Sequence, residues 1–103
     1  MEQAAGQGQA YAMYAMGGIH DAREEYELAV EWFTKGAEAG LPPAFFDLGC
    51  CLDRGEGVAR DYPAAAYWFR RAADAGIGEA AANLSNMYTL GNGRARQIAP
   101  ATF

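Results

Sequence analysis

The residues of this chain that could do chemistry are a histidine, two cysteines and a group of acids. His20 is the only histidine in the sequence, so a nucleophile paired with a histidine base has a single candidate. Its place near a predicted helix end favours a packing or boundary role. Together with Cys50 and Cys51 it supplies no recognisable set of three or four metal ligands. We therefore predict no catalytic residue, no metal site and no cofactor.

The two cysteines, Cys50 and Cys51, are adjacent. Successive side chains on a helix point about 100° apart, so these two are not expected to bond to each other. Free cysteines are often small buried packing residues, and unpaired cysteines are typical of reducing compartments. A cytoplasmic protein is therefore expected. A small enzyme that uses one of the thiols is a less favoured alternative.

Two further patterns have structural explanations. An acidic cluster could suggest paired carboxylates for acid–base work, but a solvated helix face with charges suited to a helix N-terminus explains it. The Gly55-Glu-Gly57 and Gly91-Asn-Gly93 segments resemble pieces of a phosphate loop, yet neither is followed by Lys-Ser/Thr. Neither pattern therefore predicts catalysis or nucleotide binding. The acids are Asp21, Glu24, Glu25, Glu27 and Glu31.

Composition and charge exclude several classes of protein. The chain has 103 residues, 51% of them hydrophobic, and a net charge of −5, which favours a folded body and argues against a nucleic-acid partner. No apolar run is long enough to span a membrane. The start, MEQAAGQGQA, has neither the basic region nor the apolar core of a secretory signal. A signal removed earlier stays open as an alternative.

Much of the chain repeats at a fixed spacing. Seven residues of the segment Tyr26–Gly40 recur 36 positions later in Tyr62–Gly76, with Trp32 matched by Trp68. An earlier segment aligns with the central unit at an offset of 32 instead, so the first loop is four residues shorter than the second. A period of a few tens of residues is the signature of a repeat architecture.

Apolar periodicity and end signals predict five helices. Asp21 and Glu24 fit a capping box at the start of the second helix. Gly40 and Gly55 are placed to end the second and third, and Asp61 is placed to cap the fourth. The tryptophans and phenylalanines, including Trp68, are expected to fill the core. The predicted bounds are about 9–18, 22–39, 43–54 and 79–90, with the fourth helix following Asp61 and containing Pro63 in its first turn.

The central unit carries a specific motif. The order A-x-x-x-L-G, then G-x-G-V-x-x-D, then A-x-x-W-x-x-x-A-A-x-x-G runs from Ala44 to Gly76. It resembles the Sel1-like repeat, a relative of the tetratricopeptide repeat, and the resemblance covers roughly residues 10–93. The first unit lacks the G-x-G-V loop. The third has Ser85, Arg94 and Gln97 where the motif has Gly, Val and Asp.

The resemblance implies an all-α fold, a right-handed α-solenoid of antiparallel helix pairs with about two and a half repeats. Stacking is also required physically, because one amphipathic pair cannot bury both faces of its helices. We expect a flexible N-terminal segment at 1–9, a repeat domain at 10–93 and a C-terminal tail at 94–103. The repeat units are about 10–43, 44–79 and 80–93, the last one partial.

The resemblance also implies a scaffold or adaptor that binds a partner protein or peptide, not an enzyme. In this superfamily the first helix of each pair lines the concave side. Aromatic side chains near asparagines would suit an extended peptide, because the rings supply contact area and the amides hold its backbone. By repeat position, the concave face takes Tyr11, Tyr14, Phe46, Cys50, Asp53, Asn83, Asn86 and Thr89.

Two alternatives stay open at this point, and the sequence gives rise to one further prediction. Tyr14 and Phe46 could simply pack between neighbouring helices. The chain could be a structural fragment of a larger repeat protein whose activity lies in another domain. The unfinished third unit predicts self-association through the C-terminal end, because terminal repeats normally need a polar outer face.

Overall fold

The computed structural model describes the backbone of residues 2–90 and the side chains of residues 8–88. Within residues 2–90 the chain forms five helices and no strand. Each helix packs mainly against its neighbours along the chain, as expected of a helical repeat protein. The all-α solenoid class is therefore confirmed, while the predicted tail at 94–103 lies outside the described residues. The helices are α1 (Glu2–Ala22), α2 (Tyr26–Glu38), α3 (Pro42–Arg54), α4 (Tyr62–Asp74) and α5 (Gly78–Leu90).

The first helix differs most from its predicted bounds. It was expected over about 9–18, but it spans Glu2–Ala22. Glycine is a common residue just beyond a helix end, yet Gly17 and Gly18 both lie inside α1. The flexibility of the segment at 1–9 stays a prediction, although the backbone of residues 2–9 is helical.

The predicted capping box at Asp21 and Glu24 is wrong, because both residues lie at the end of α1. The Glu25 N–H donates to the His20 carbonyl (2.9 Å). The Glu24 N–H donates to the Asp21 carbonyl (2.9 Å). This pair of bonds is a Schellman motif, and Glu24 takes the left-handed conformation (φ 60°) that glycine usually supplies there. The second helix therefore begins at Tyr26, with no side-chain hydrogen bond at its N-cap.

The other predicted helix ends are confirmed. Gly40 and Gly55 have φ values of 90° and 72°, the left-handed conformation that closes α2 and α3. The Asp61 side chain accepts a hydrogen bond of 3.0 Å from the Ala64 N–H, so it caps α4 as expected. Pro63 lies in the first turn of α4, where a missing N–H does no harm.

The aromatic core is divided between fully and partly buried rings. Phe33 and Phe69 are 3% and 1% exposed, whereas Trp32 and Trp68 are only half-buried. Trp68 lies at the edge of the core, with its ring 5.5 Å from that of Phe45. Trp68 was expected to be a core residue, but the fully buried ring in this part of the core is that of its neighbour Phe69.

The two buried phenylalanines pack directly on glycines of the preceding helix. A Cβ added to Gly17 would lie 2.5 Å from the Phe33 ring, and one added to Gly49 would lie 2.8 Å from the Phe69 ring. Both distances are too short for real atoms, so only glycine lets each ring rest on the helix backbone. Gly17 and Gly49 occupy equivalent places in two successive repeats, as do the two rings.

This packing predicts opposite effects at two neighbouring glycines of α1. We expect Gly17→Ala to destabilise the fold by about 1–3 kcal/mol, because its Cβ would collide with the Phe33 ring. Gly18→Ala should stabilise it by up to about 1 kcal/mol, because nothing lies within 4 Å of the new Cβ and alanine favours helix. Urea unfolding of both variants measures the difference, and an equal effect of the two substitutions would contradict the packing.

Candidate functional site

A groove of about 530 Å³ lies among α1, α3 and α5, the first helices of successive pairs. We call it the central groove. Phe33 reaches it from α2, and Glu56 reaches it from the loop after α3. A smaller pocket of about 140 Å³, here called the side pocket, shares part of its wall. The central groove is lined by Gly18, Asp21, Phe33, Phe46, Asp47, Cys50, Cys51, Arg54, Glu56, Glu79, Ala82 and Asn83.

Five of the predicted concave-face residues line these two cavities. Phe46, Cys50 and Asn83 line the central groove. Cys50 and Asn83 also line the side pocket, together with Asp53 and Asn86. The fold therefore brings together side chains that are widely separated along the chain, on helices that hold them in fixed positions.

The other three predicted residues are placed differently. Tyr11 is 55% exposed and lines neither cavity. Tyr14 packs with its ring 5.7 Å from that of Phe33, and its hydroxyl donates a hydrogen bond to the Asp47 carboxylate. Thr89 lies in the last turn of α5, and its side chain is outside the described part of the structure.

The proposed packing role fits Tyr14 and applies in part to Phe46. The Phe46 ring lies 5.9 Å from the buried ring of Phe69, yet it also borders the central groove. Phe46 therefore contributes both to contact between helices and to the accessible surface. Tyr14 contributes mainly through Asp47, whose carboxylate its hydroxyl holds in place.

The acids that border the central groove were not among the predicted site residues. Asp47 and Cys50 are three residues apart, so they share a face of α3, and this spacing was the available signal. Asp21, Glu56 and Glu79 belong to other elements, and no local pattern predicts their approach. The lining of the groove therefore combines apolar side chains with four carboxylates.

Burial is the main perturbation of Asp47. Desolvation raises the pKa of this carboxyl, and the charges of Asp21 and Glu79 raise it further. The hydrogen bond from Tyr14 and the charge of Arg54 act in the opposite direction. The net result is a raised pKa, because burial disfavours the charged form most strongly.

The cysteines are free thiols of low reactivity. Burial raises the pKa of Cys50 to about 11 and that of Cys51 to about 12. The thiolate is the nucleophilic form, so neither side chain is activated near neutral pH. The geometry thus gives no support to the thiol-dependent enzyme considered above. Within residues 8–88, no group of three or more His, Cys, Asp or Glu side chains is placed to hold a metal ion.

His20 and the glycine loop have structural roles. The His20 Nδ1 lies 2.9 Å from the Glu25 Oε1, so this side chain spans the turn between α1 and α2. Gly57 has a φ of 75°, and a Cβ there would collide with the Tyr26 carbonyl. The loop after α3 therefore packs directly on the start of α2.

A second groove lies outside the predicted face. It has a volume of about 710 Å³ and is formed by residues 24–28 and 57–59. Leu28, which is 42% exposed, belongs to it. This groove is formed by the turn before α2, the first residues of α2 and the loop after α3, whereas the central groove is formed mainly by helices. We call it the outer groove.

Helix pairs stacked along the chain define a helical repeat protein. The comparison with protein families matches the Sel1 repeat over residues 10–41, 42–77 and 78–98. The chain belongs to the Sel1 repeat family, whose repeats generally mediate protein–protein interaction. Comparison with curated proteins and with solved structures gave no match. Within residues 2–90, no helix has both the length and the apolar character needed to cross a membrane.

The raised pKa of Asp47 predicts a pH dependence of stability. The folded chain binds the proton of the Asp47 carboxyl more tightly than the unfolded chain does. Protonation of Asp47 therefore stabilises the fold below the unfolded pKa, and this stabilisation is lost as pH rises through the folded pKa. We expect Asp47→Asn to gain stability relative to wild type as pH rises from the unfolded pKa through the folded pKa. Urea unfolding between acidic and neutral pH measures this difference.

The matched control for this prediction is Glu31→Gln, which removes one negative charge from an exposed position on α2. A stability difference between Asp47→Asn and wild type that stays constant with pH would contradict a raised pKa for Asp47. A variant that loses stability relative to wild type as pH rises would contradict it too.

Proposed function

We propose that this chain is a scaffold or adaptor module that binds a partner protein or peptide in the central groove. The family supplies the general role, since Sel1 repeats mediate protein–protein interaction. The observation that carries the proposal is the groove itself, which collects side chains from three successive first helices. Its volume of about 530 Å³ suits a short peptide segment and is too small for a folded domain.

The side chains of the groove suit recognition of an extended segment. Phe46 contributes an aromatic ring to the lining, and aromatic residues are common energetic centres of interfaces. Asn83 in this groove and Asn86 in the adjoining side pocket carry amides that both donate and accept hydrogen bonds, so they could pair with a peptide backbone. These groups lie on helices, which hold them in place before the partner arrives and lower the entropy cost of binding.

The central groove is a better candidate than the outer groove for a structural reason. Its walls are mainly three helices packed into the repeat stack. The outer groove depends in part on the turn at Glu24 and on the loop at Gly57, which lie outside the helices. A binding surface on rigid elements is held more precisely than one on loops.

The test is affinity capture from source-cell lysate, followed by identification of the partner and measurement of its Kd. We expect Asn83→Ala/Asn86→Ala to weaken binding by about tenfold, because it removes one amide from the wall of the central groove and one from the adjoining side pocket. Alanine suits both helical positions, so the variant should fold. The matched control is Tyr67→Ala, which removes an exposed aromatic side chain from α4, outside both cavities.

Two results would contradict the proposal. The first is a partner that binds the double variant as tightly as it binds wild type. The second is a loss of binding in Tyr67→Ala alone, which would place the interface on the second helices. Circular dichroism of each variant establishes that any loss is not a loss of folding.

A further inference from the structure

We propose that the segment bound in the central groove is cationic and reaches it through lysine or arginine side chains. This inference rests on the proposed function and specifies the chemistry of the partner. It starts from the four carboxylates that border the groove and the single guanidinium among them. The carboxylates are those of Asp21, Asp47, Glu56 and Glu79, and the guanidinium is that of Arg54.

The carboxylates come from different elements and surround the groove. Asp21 lies in the last turn of α1, Asp47 lies on α3, Glu56 lies in the following loop and Glu79 lies in the first turn of α5. Arg54 offsets only part of this charge, and its Nη1 lies 3.9 Å from the Glu56 Oε1. A negatively charged segment would therefore be repelled on entry, whereas a positively charged one would be attracted.

The apolar side chains in the lining of the groove favour one kind of cation. Phe33, Phe46 and Ala82 border the same space as the acids. Lysine and arginine have apolar stems that cover such surfaces while their charged ends reach polar groups. An arginine can also stack on an aromatic ring such as that of Phe46. The combination of apolar and acidic side chains in one lining therefore suits lysine and arginine.

A single metal ion is a poorer match than a peptide. No group of three or more potential ligands within residues 8–88 is placed to hold one ion. The carboxylates border the groove without converging on a common point. Positive charges spaced along an extended segment can approach several of them at once, which one ion cannot do.

The response of neighbouring groups supports a negative field inside the groove. The charges of Asp21 and Glu79 raise the pKa of Asp47, in addition to the effect of burial. Those of Asp21 and Glu56 likewise raise the pKa of the Cys51 thiol. Each of these groups would ionise more easily next to a bound cation, so the charge of the segment would relieve a repulsion present in the free chain.

The experiment uses three pools of fluorescein-labelled decapeptides with matched apolar content. Four positions are fixed as lysine in one pool, as glutamine in the second and as glutamate in the third. Fluorescence anisotropy gives the apparent Kd of each pool. We expect the lysine pool to bind wild type about tenfold more tightly than the glutamine pool, and added salt to weaken that binding.

Two double variants with the same change in net charge locate the binding. Asp47→Asn/Glu79→Gln removes two carboxylates from the central groove. Glu24→Gln/Glu27→Gln removes two from the outer groove. We expect the first to weaken binding of the lysine pool about tenfold and the second to change it less than about twofold. The single variant Glu79→Gln, at an exposed position, gives a smaller loss in the same direction if the double variant folds poorly.

Each other outcome overturns the inference. If the glutamine pool binds as tightly as the lysine pool and loses affinity in Asn83→Ala/Asn86→Ala, the groove binds peptides but does not select cations, so the proposed function stands alone. If only Glu24→Gln/Glu27→Gln weakens binding, the cationic segment binds the outer groove. If no pool binds wild type, the cationic preference is absent. The proposed function is then tested by the affinity of the captured partner for wild type and for Asn83→Ala/Asn86→Ala.

Discussion

The contact between a phenylalanine ring and a glycine backbone organises this structure. Phe33 rests on Gly17 and Phe69 rests on Gly49, with no room for a Cβ in either place. Because protein interiors are closely packed, such a contact sets how near the two helices of a pair can lie. Phe33 also borders the central groove and Phe69 the side pocket. The same rings that hold the helix pairs together therefore shape the surface offered to a partner.

The charge of that surface is a second consequence of the stacking. Asp21, Asp47, Glu56 and Glu79 are far apart in sequence, and the repeat stack brings them around one space. Asp47 is partly desolvated there, which raises its pKa. A buried carboxylate near other carboxylates is unfavourable for the isolated chain. A cationic partner would remove this repulsion. The same carboxylates that repel one another in the free protein would therefore favour binding of a positively charged ligand.

Features that depend on local chemistry were predictable from the sequence. Gly40 and Gly55 end their helices, and Asp61 caps α4, because a glycine or a capping side chain acts within a few residues of its own position. The helix pairs followed from the period of the repeat. Five predicted surface residues also line the two cavities, since repeat position places side chains on a common helix face.

Features that depend on tertiary packing were not predictable in the same way. Asp21 and Glu24 have the spacing of a capping box at a helix start. In the structure α1 extends to Ala22, so the two residues take part in the hydrogen bonds that end this helix. Gly17 lies inside α1, where the absence of a Cβ leaves room for the Phe33 ring. The hydrogen bond between Tyr14 and Asp47 joins two helices, so no local pattern reveals it.

The most direct test of the account uses Cys50, which borders both cavities. In a Cys51→Ala variant Cys50 is the only thiol, and its rate of alkylation by iodoacetamide at alkaline pH reports access to the groove. If the partner occupies the central groove, a saturating amount of it slows this reaction severalfold. An unchanged rate with the partner fully bound would show that binding leaves the central groove open, and would contradict binding at this site.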